Sequence, residues 1–139
     1  PAVTRESMDL VRHGLSASGF EMTLAHFCEA LLALGPQCIL VTDGKRGAYA
    51  AVGNDIVFCP SLATNVVGTA GAGDAFTSTF TAMYANGIMP GEALQYAATN
   101  ASSVVEFADT QSGLLGWTPL LNALTLSKDR LPLSCWSAE

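Results

Sequence analysis

The sequence predicts an α/β domain, and three stretches carry that prediction. Residues 21–34 place Leu24, Phe27, Cys28, Leu31 and Leu32 on one helical face and end at Gly35-Pro36, a glycine cap followed by a residue that cannot continue a helix. Residues 38–42, CILVT, form an unbroken apolar run suited to a central parallel strand buried on both faces. Residues 67–80, VGTAGAGDAFTSTF, run through small residues from Gly68 to Gly73 and pass at Asp74 into an apolar periodic segment, which is a loop feeding a helix.

Composition supports a packed interior. Of 139 residues, 50% are hydrophobic and only 13% charged, enough for one domain with its own core and unlike a disordered chain. The formal net charge of −6 leaves no basic patch for a nucleic-acid backbone and no Lys/Arg run for a membrane surface. No segment has the length and apolarity of a membrane span or a signal peptide. Cys28, Cys38, Cys59 and Cys135 contain no CxxC pair, and His13 and His26 stand apart from them, so the thiols read as reduced and mostly buried in a cytoplasmic protein.

The remaining elements follow in order. Residues 1–20 are weakly patterned; Glu6, Asp9 and Arg12 suit an exposed helix face, with Gly14 and Gly19 as interruptions. In the helix over 21–34, His26 falls on the polar side. Asp43–Gly47 is a turn after the first long strand, and ligands bind at such carboxyl ends in open α/β sheets. Residues 48–52, AYAAV, and 56–59, IVFC, are two further strands around a Gly53-Asn54-Asp55 turn, the second ended by Pro60. The helix over 73–86 has Phe76, Phe80, Met83 and Tyr84 as its core stripe and ends at Asn86-Gly87. Pro90 opens another helix with Glu92 in its first turn, and Leu94, Ala97, Ala98, Ala101, Val104 and Val105 form its buried face. Thr118-Pro119 starts a last helix, Leu120 to Leu126, and residues 127–139 show no period and read as a tail.

The loop before Asp74 carries the chemistry. A helix start offers unpaired N–H groups and the positive end of the helix dipole, which suits an anion. Only Gly and Ala let the backbone approach closely, so N–H groups of Gly71, Ala72 and Gly73 are candidate donors to a transferring phosphate. A carboxylate at Asp74 beside that anion makes sense as the acceptor of a proton from an attacking hydroxyl. Gly68 and Gly73 have P-loop spacing, but Asp74-Ala75 stands where Lys-Ser/Thr is required. A dinucleotide fingerprint needs a glycine at Phe76. A tight turn with glycines serving backbone geometry alone is the plain alternative.

Thr69-Ala70-Gly71-Ala72-Gly73-Asp74-Ala75-Phe76 resembles the TxGAGDxF signature of the ribokinase/PfkB family of sugar and nucleoside kinases. Val41 to Ala48 resembles that family's VTxGxxG nucleotide segment, and Gln111-Ser112-Gly113 its late glycine-containing loop. The resemblance covers roughly residues 20–125. It implies a ribokinase-like three-layer α/β/α sandwich with a mostly parallel sheet, ATP as phosphoryl donor with Mg²⁺, and a sugar or nucleoside hydroxyl as acceptor. It implies catalytic roles for Asp74 and the Gly71–Gly73 loop, and nucleotide contacts at Thr42, Gly44, Gly47 and Thr69. Asn100 is either a neighbour of the adenine, as the resemblance implies, or a structural hydrogen-bonding residue. Glu6 is either a solvated surface acid or the Glu of the family's Asn-x-x-Glu motif that helps hold Mg²⁺ and phosphates, although Val3 occupies the Asn position.

Two further departures bear on activity. Gly68 stands where the family usually has an Asp that helps ligate an activating monovalent cation, which argues against potassium activation. Asp109-Thr110 replaces the usual Gly-Ala of the late loop. The chain begins at Pro1, and the resemblance implies the C-terminal half of a longer kinase. In that reading residues 1–20 continue a preceding half, residues 21–126 hold the ATP-binding and catalytic part, and residues 127–139 are the tail. The sugar-binding residues and a lid, through which a homodimer can form, then lie outside this sequence, and the fragment alone has little activity. A non-catalytic nucleotide-binding or interaction domain of the same fold is the alternative function, as is a vitamin-precursor kinase of the superfamily. The wording of Thr42-Asp43-Gly44 and Gly71–Asp74 leans toward the sugar branch.

Overall fold

Strand β4, Ala48–Val52, has its first four residues buried, and its alternation divides the molecule into layers. The computed structural model describes residues 4–138. Preceding elements are a 3-10 turn at Arg5–Ser7, helix α1 (Asp9–His13), a hairpin of β1 (Leu15–Ala17) and β2 (Phe20–Met22), helix α2 (Leu24–Leu32) and strand β3 (Ile39–Thr42). After β4 come β5 (Asp55–Cys59), helices α3 (Ala72–Ala85), α4 (Pro90–Val104) and α5 (Trp117–Ser127), and strand β6 (Ser134–Ser137).

Successive side chains of a strand point to opposite faces. Tyr49 and Ala51 of β4, with Ile56 and Phe58 of β5, pack with Met8, Leu24 and Cys28 on the α2 side. Ala48, Ala50 and Cys59 pack on the other side with Phe80 and Met83 of α3, Ala93, Leu94 and Ala97 of α4, and Leu120 and Leu124 of α5. The alanines of β4 and α4 let that helix lie close to the sheet. This is the three-layer α/β/α arrangement the sequence predicts.

The strand directions differ from expectation. The four-stranded sheet runs β3-β4-β5-β6, and every described pair is antiparallel, with Leu40 opposite Ala50, Ala50 opposite Val57 and Val57 opposite Cys135. The apolar run over 38–42 signals burial on both faces, and the cover present is partial: Leu40 packs toward α3–α5, and Ile39 and Val41 toward α2, each only half-buried. Cover does not set direction. A parallel neighbour needs a crossover of about a dozen residues or more, and the connections at 43–47 and 53–54 are too short for one. Among the described residues, β3 is therefore an edge of the sheet.

Residues 127–138 of the expected 127–139 tail are structured. Lys128–Arg130 forms a 3-10 turn, Leu131 is fully buried, and its carbonyl accepts a bond from Gln95 Nε2 at 2.7 Å. Ser134–Ser137 completes the sheet, and the Arg5 guanidinium lies 5.5 Å from the Trp136 ring centroid. Residues 20–22 belong to the hairpin, so α2 starts later than expected, where the Thr23 hydroxyl accepts the His26 N–H at 3.2 Å. Pro90 occupies the first turn of α4 as expected. All four cysteines are free thiols, and burial pushes Cys59 up to about 12. No helix among the described residues is long and apolar enough to cross a membrane.

Candidate active site

The start of α3 opens into a cleft of about 510 Å³, a size suited to a nucleotide-scale ligand. One wall is the β3–β4 turn, with Thr42, Gly44, Lys45 and Gly47. Thr69, Ala72 and Gly73 form the second wall, at the helix start. Phe76 of α3 with Ala98, Ala101 and Val105 of the α4 end make an apolar floor.

Local chemistry explains both glycine-bearing walls. In the first, Asp43 N–H donates to Gly47 O at 2.8 Å, and Arg46 Nε donates to Asp43 Oδ2 at 2.8 Å. Gly47 has φ +126, and a Cβ there would lie 2.4 Å from Cys59 O, so the turn closes on β5 only with glycine. In the second wall, Gly71 is the N-cap of α3 in the left-handed region, φ 80, with no side-chain cap bond. The first backbone bond of the helix is Ala75 N–H to Gly71 O at 2.9 Å. Gly73 and Asp74 N–H groups have no carbonyl partner among the described residues, and Ala72 N–H reaches Thr69 O only at 3.4 Å. The helix therefore presents free donors at the cleft.

The structure gathers most of the sequence-predicted residues. Thr42, Gly44, Gly47, Thr69, Ala72 and Gly73 line one cleft, although 27 positions separate the first from the fourth. Gly71 sits just behind, setting the helix start. Asp74 is exposed on the first turn, next to Gly73, and is not itself in the lining.

Two of the sequence-predicted residues lie apart from the cleft. Asn100 is buried and does not line the cleft: its Nδ2 donates to Thr79 Oγ1 at 2.9 Å and its Oδ1 accepts Leu115 N–H at 2.9 Å. Both polar ends are thus spent joining α4 to α3 and to the segment before α5. Glu6 is exposed on the first 3-10 turn and does not line the cleft; backbone and Thr4 hydrogen bonds hold its carboxyl below the usual range. Val3 lies outside the described residues, and no group of three His, Cys, Asp or Glu that could hold a metal occurs among those described. At Gly68, a Cβ would stand 3.0 Å from Phe107 O, so this loop is packed for glycine where the family pattern has an acid.

Sequence reasoning missed Lys45, Ser61, Thr64 and Ser102, which also line the cleft. Lys45 was legible as the variable position of the VTxGxxG-like turn. Ser61 and Thr64 come from a segment with no pattern of its own, and Ser102 from α4, outside the apolar positions that mark that helix's buried face.

The model of the pfkB family carbohydrate kinases matches residues 17–115. The chain belongs to this PfkB family. It is 35% identical over 103 residues to the 5-dehydro-2-deoxygluconokinase of Shouchella clausii, covering 73% of this chain and 30% of that protein. Among solved structures, it resembles Arabidopsis thaliana ribokinase complexed with ribose and ATP, with TM-score 0.63, 28% identity, and 69% of this chain and 31% of that one covered. It also resembles an Escherichia coli structure described as a ribokinase II in complex with ATP and Mg²⁺, with TM-score 0.64, 25% identity, and 73% and 32% covered. The PfkB chain described here thus spans about a third of the length of the relatives it matches.

Proposed function

We propose that this chain carries the nucleotide-binding and phosphoryl-transfer part of an ATP-dependent kinase that acts on a hydroxyl of a sugar or nucleoside. The observation that carries this reading is the uncapped start of α3 opening into the cleft opposite the Thr42–Gly47 turn. In it, N–H groups of Ala72 and Gly73 bind phosphate oxygens, and Gly71 holds the backbone in the conformation that aims them. Thr42, Gly44 and Thr69 contact the nucleotide, whose ring lies against Phe76, Ala98 and Ala101. Asp74 accepts the proton of the attacking hydroxyl. Mg²⁺ arriving with ATP supplies charge neutralisation at the phosphates.

Two glycine variants of the 139-residue chain test the anion loop. A Cβ at Gly73 meets nothing within 4 Å, so Gly73→Ala should fold normally while its methyl group crowds the phosphate. ATP affinity, measured by titration calorimetry, should fall about tenfold or more. Gly71 has φ +80, and its Cβ would lie 2.9 Å from Thr110 Cβ, so Gly71→Ala should instead lower the melting temperature. ATP binding by Gly73→Ala at wild-type affinity would sink the anion-hole assignment.

Lys45 is the one charged side chain among the described residues that line the cleft; its neighbour Arg46 is outside the lining and bonded to Asp43, with Asp9 3.6 Å away. Lys45→Met should weaken ATP about tenfold, in line with loss of a charge-assisted hydrogen bond. Adenosine should bind almost as before. Equal loss for both ligands would remove Lys45 from the phosphate site.

A further inference from the structure

We infer that Asp109 is a positioning residue for the anion loop, because its carboxylate folds the turn that holds Thr110 against Gly71. It touches neither the cleft nor the proposed phosphate.

The contact between the two loops is close. The position of a Cβ on Gly71 is 2.9 Å from Thr110 Cβ and 3.2 Å from Thr110 Cα, so Thr110 lies directly on the residue that sets the start of α3. Val105 O accepts Val67 N–H at 2.7 Å and Gly68 N–H at 3.1 Å, and Thr64 Oγ1 donates to Glu106 Oε1. The segment after α4 therefore backs the loop over 64–71 along its length. Its far end is fixed as well: a Cβ on Gly113 would meet Ser103 O at 2.4 Å, and Leu115 N–H is held by Asn100.

Between these fixed ends, residues 106–112 are exposed and have no core residue to hold them. Asp109 supplies the missing order. Its Oδ1 accepts Gln111 N–H at 2.8 Å and Ser112 N–H at 2.7 Å, and its Oδ2 accepts Ser112 Oγ at 2.7 Å. Those bonds hold the carboxyl down to about 2, so it is charged at neutral and mildly acidic pH. The turn they close presents Thr110 to Gly71. Without them, the left-handed conformation of Gly71 loses its backing, and the donors of α3 lose their aim.

The test combines amide exchange in the free chain with ATP titration. Only the titration rests on the kinase reading above. In Asp109→Ala, exchange at Ala75, whose N–H bonds Gly71 O, and at Val67 and Gly68 should speed up by about tenfold, while the global melting temperature stays close to wild type. ATP affinity should fall several-fold with it. Asp109→Asn keeps an oxygen acceptor for both backbone N–H groups and should restore most of the protection and affinity. Unchanged exchange at Val67, Gly68 and Ala75 in Asp109→Ala overturns the brace. Faster exchange with wild-type ATP affinity overturns the positioning role. If the wild-type chain binds no ATP, the kinase reading fails, and the exchange measurement still decides whether the brace exists.

Discussion

Asp74→Asn, made in the catalytically active protein, is expected to lower kcat by about 10²–10⁴-fold while leaving ATP affinity near wild type. The substitution keeps the size and polarity of an exposed side chain at the third position of α3 and removes its ability to take a proton. The donors proposed for phosphate are backbone groups of Ala72 and Gly73, which the change does not touch. Ground-state binding and proton transfer should therefore separate, with kcat and kcat/KM falling together. Single-turnover phosphorylation beside ATP titration measures both. Unchanged turnover would sink Asp74 as the base. A matching loss of ATP affinity would instead assign Asp74 to the geometry of the anion loop.

Leu94→Ala is expected to produce the largest loss of stability, about 2–5 kcal/mol and a melting-temperature drop on the order of 10 °C. Leu94 is fully buried in α4, between α3 and the sheet, with Ala93 and Ala97 equally inaccessible beside it. Small neighbours already bring the helix close to β4, so little relaxation is available to fill the cavity. A loss of that size is a large part of the stability of an ordinary domain. Ala98 and Ala101 of the same helix line the cleft, so nucleotide binding should disappear within the same unfolding transition. A variant that melts with the wild type would contradict the packing described for α4.

The pairing directions show what pattern reading leaves out. An apolar run over 38–42 reports that both faces are covered, and both are in part. It carries no information about the partner's direction, which the short Asp43–Gly47 connection sets by length alone. That signal was in the sequence and outweighs the apolar run. Ser134–Ser137 had no such signal: four residues with one aromatic make no period, and they become a strand because β5 offers an open edge. Asn100 follows the same logic. A polar residue in an apolar helix marks a buried hydrogen-bonding need, and only the positions of Thr79 and Leu115 show that protein atoms meet it.

The local facts were determined by the sequence alone. Gly71 to Asp74 makes a left-handed cap followed by a helix start, Pro90 opens α4, and Asn86-Gly87 closes α3, because each depends on the backbone freedom of one or two residues. Tertiary structure decided which distant segments share a space. It brought Thr42, Gly44 and Gly47 to the helix start, placed Lys45 in the same cleft, kept Asn100 out of it, and set Thr110 on Gly71. Those relations depend on how α4 packs across α3 and the sheet, a sum of many contacts between residues far apart in the chain. No short pattern encodes such a sum.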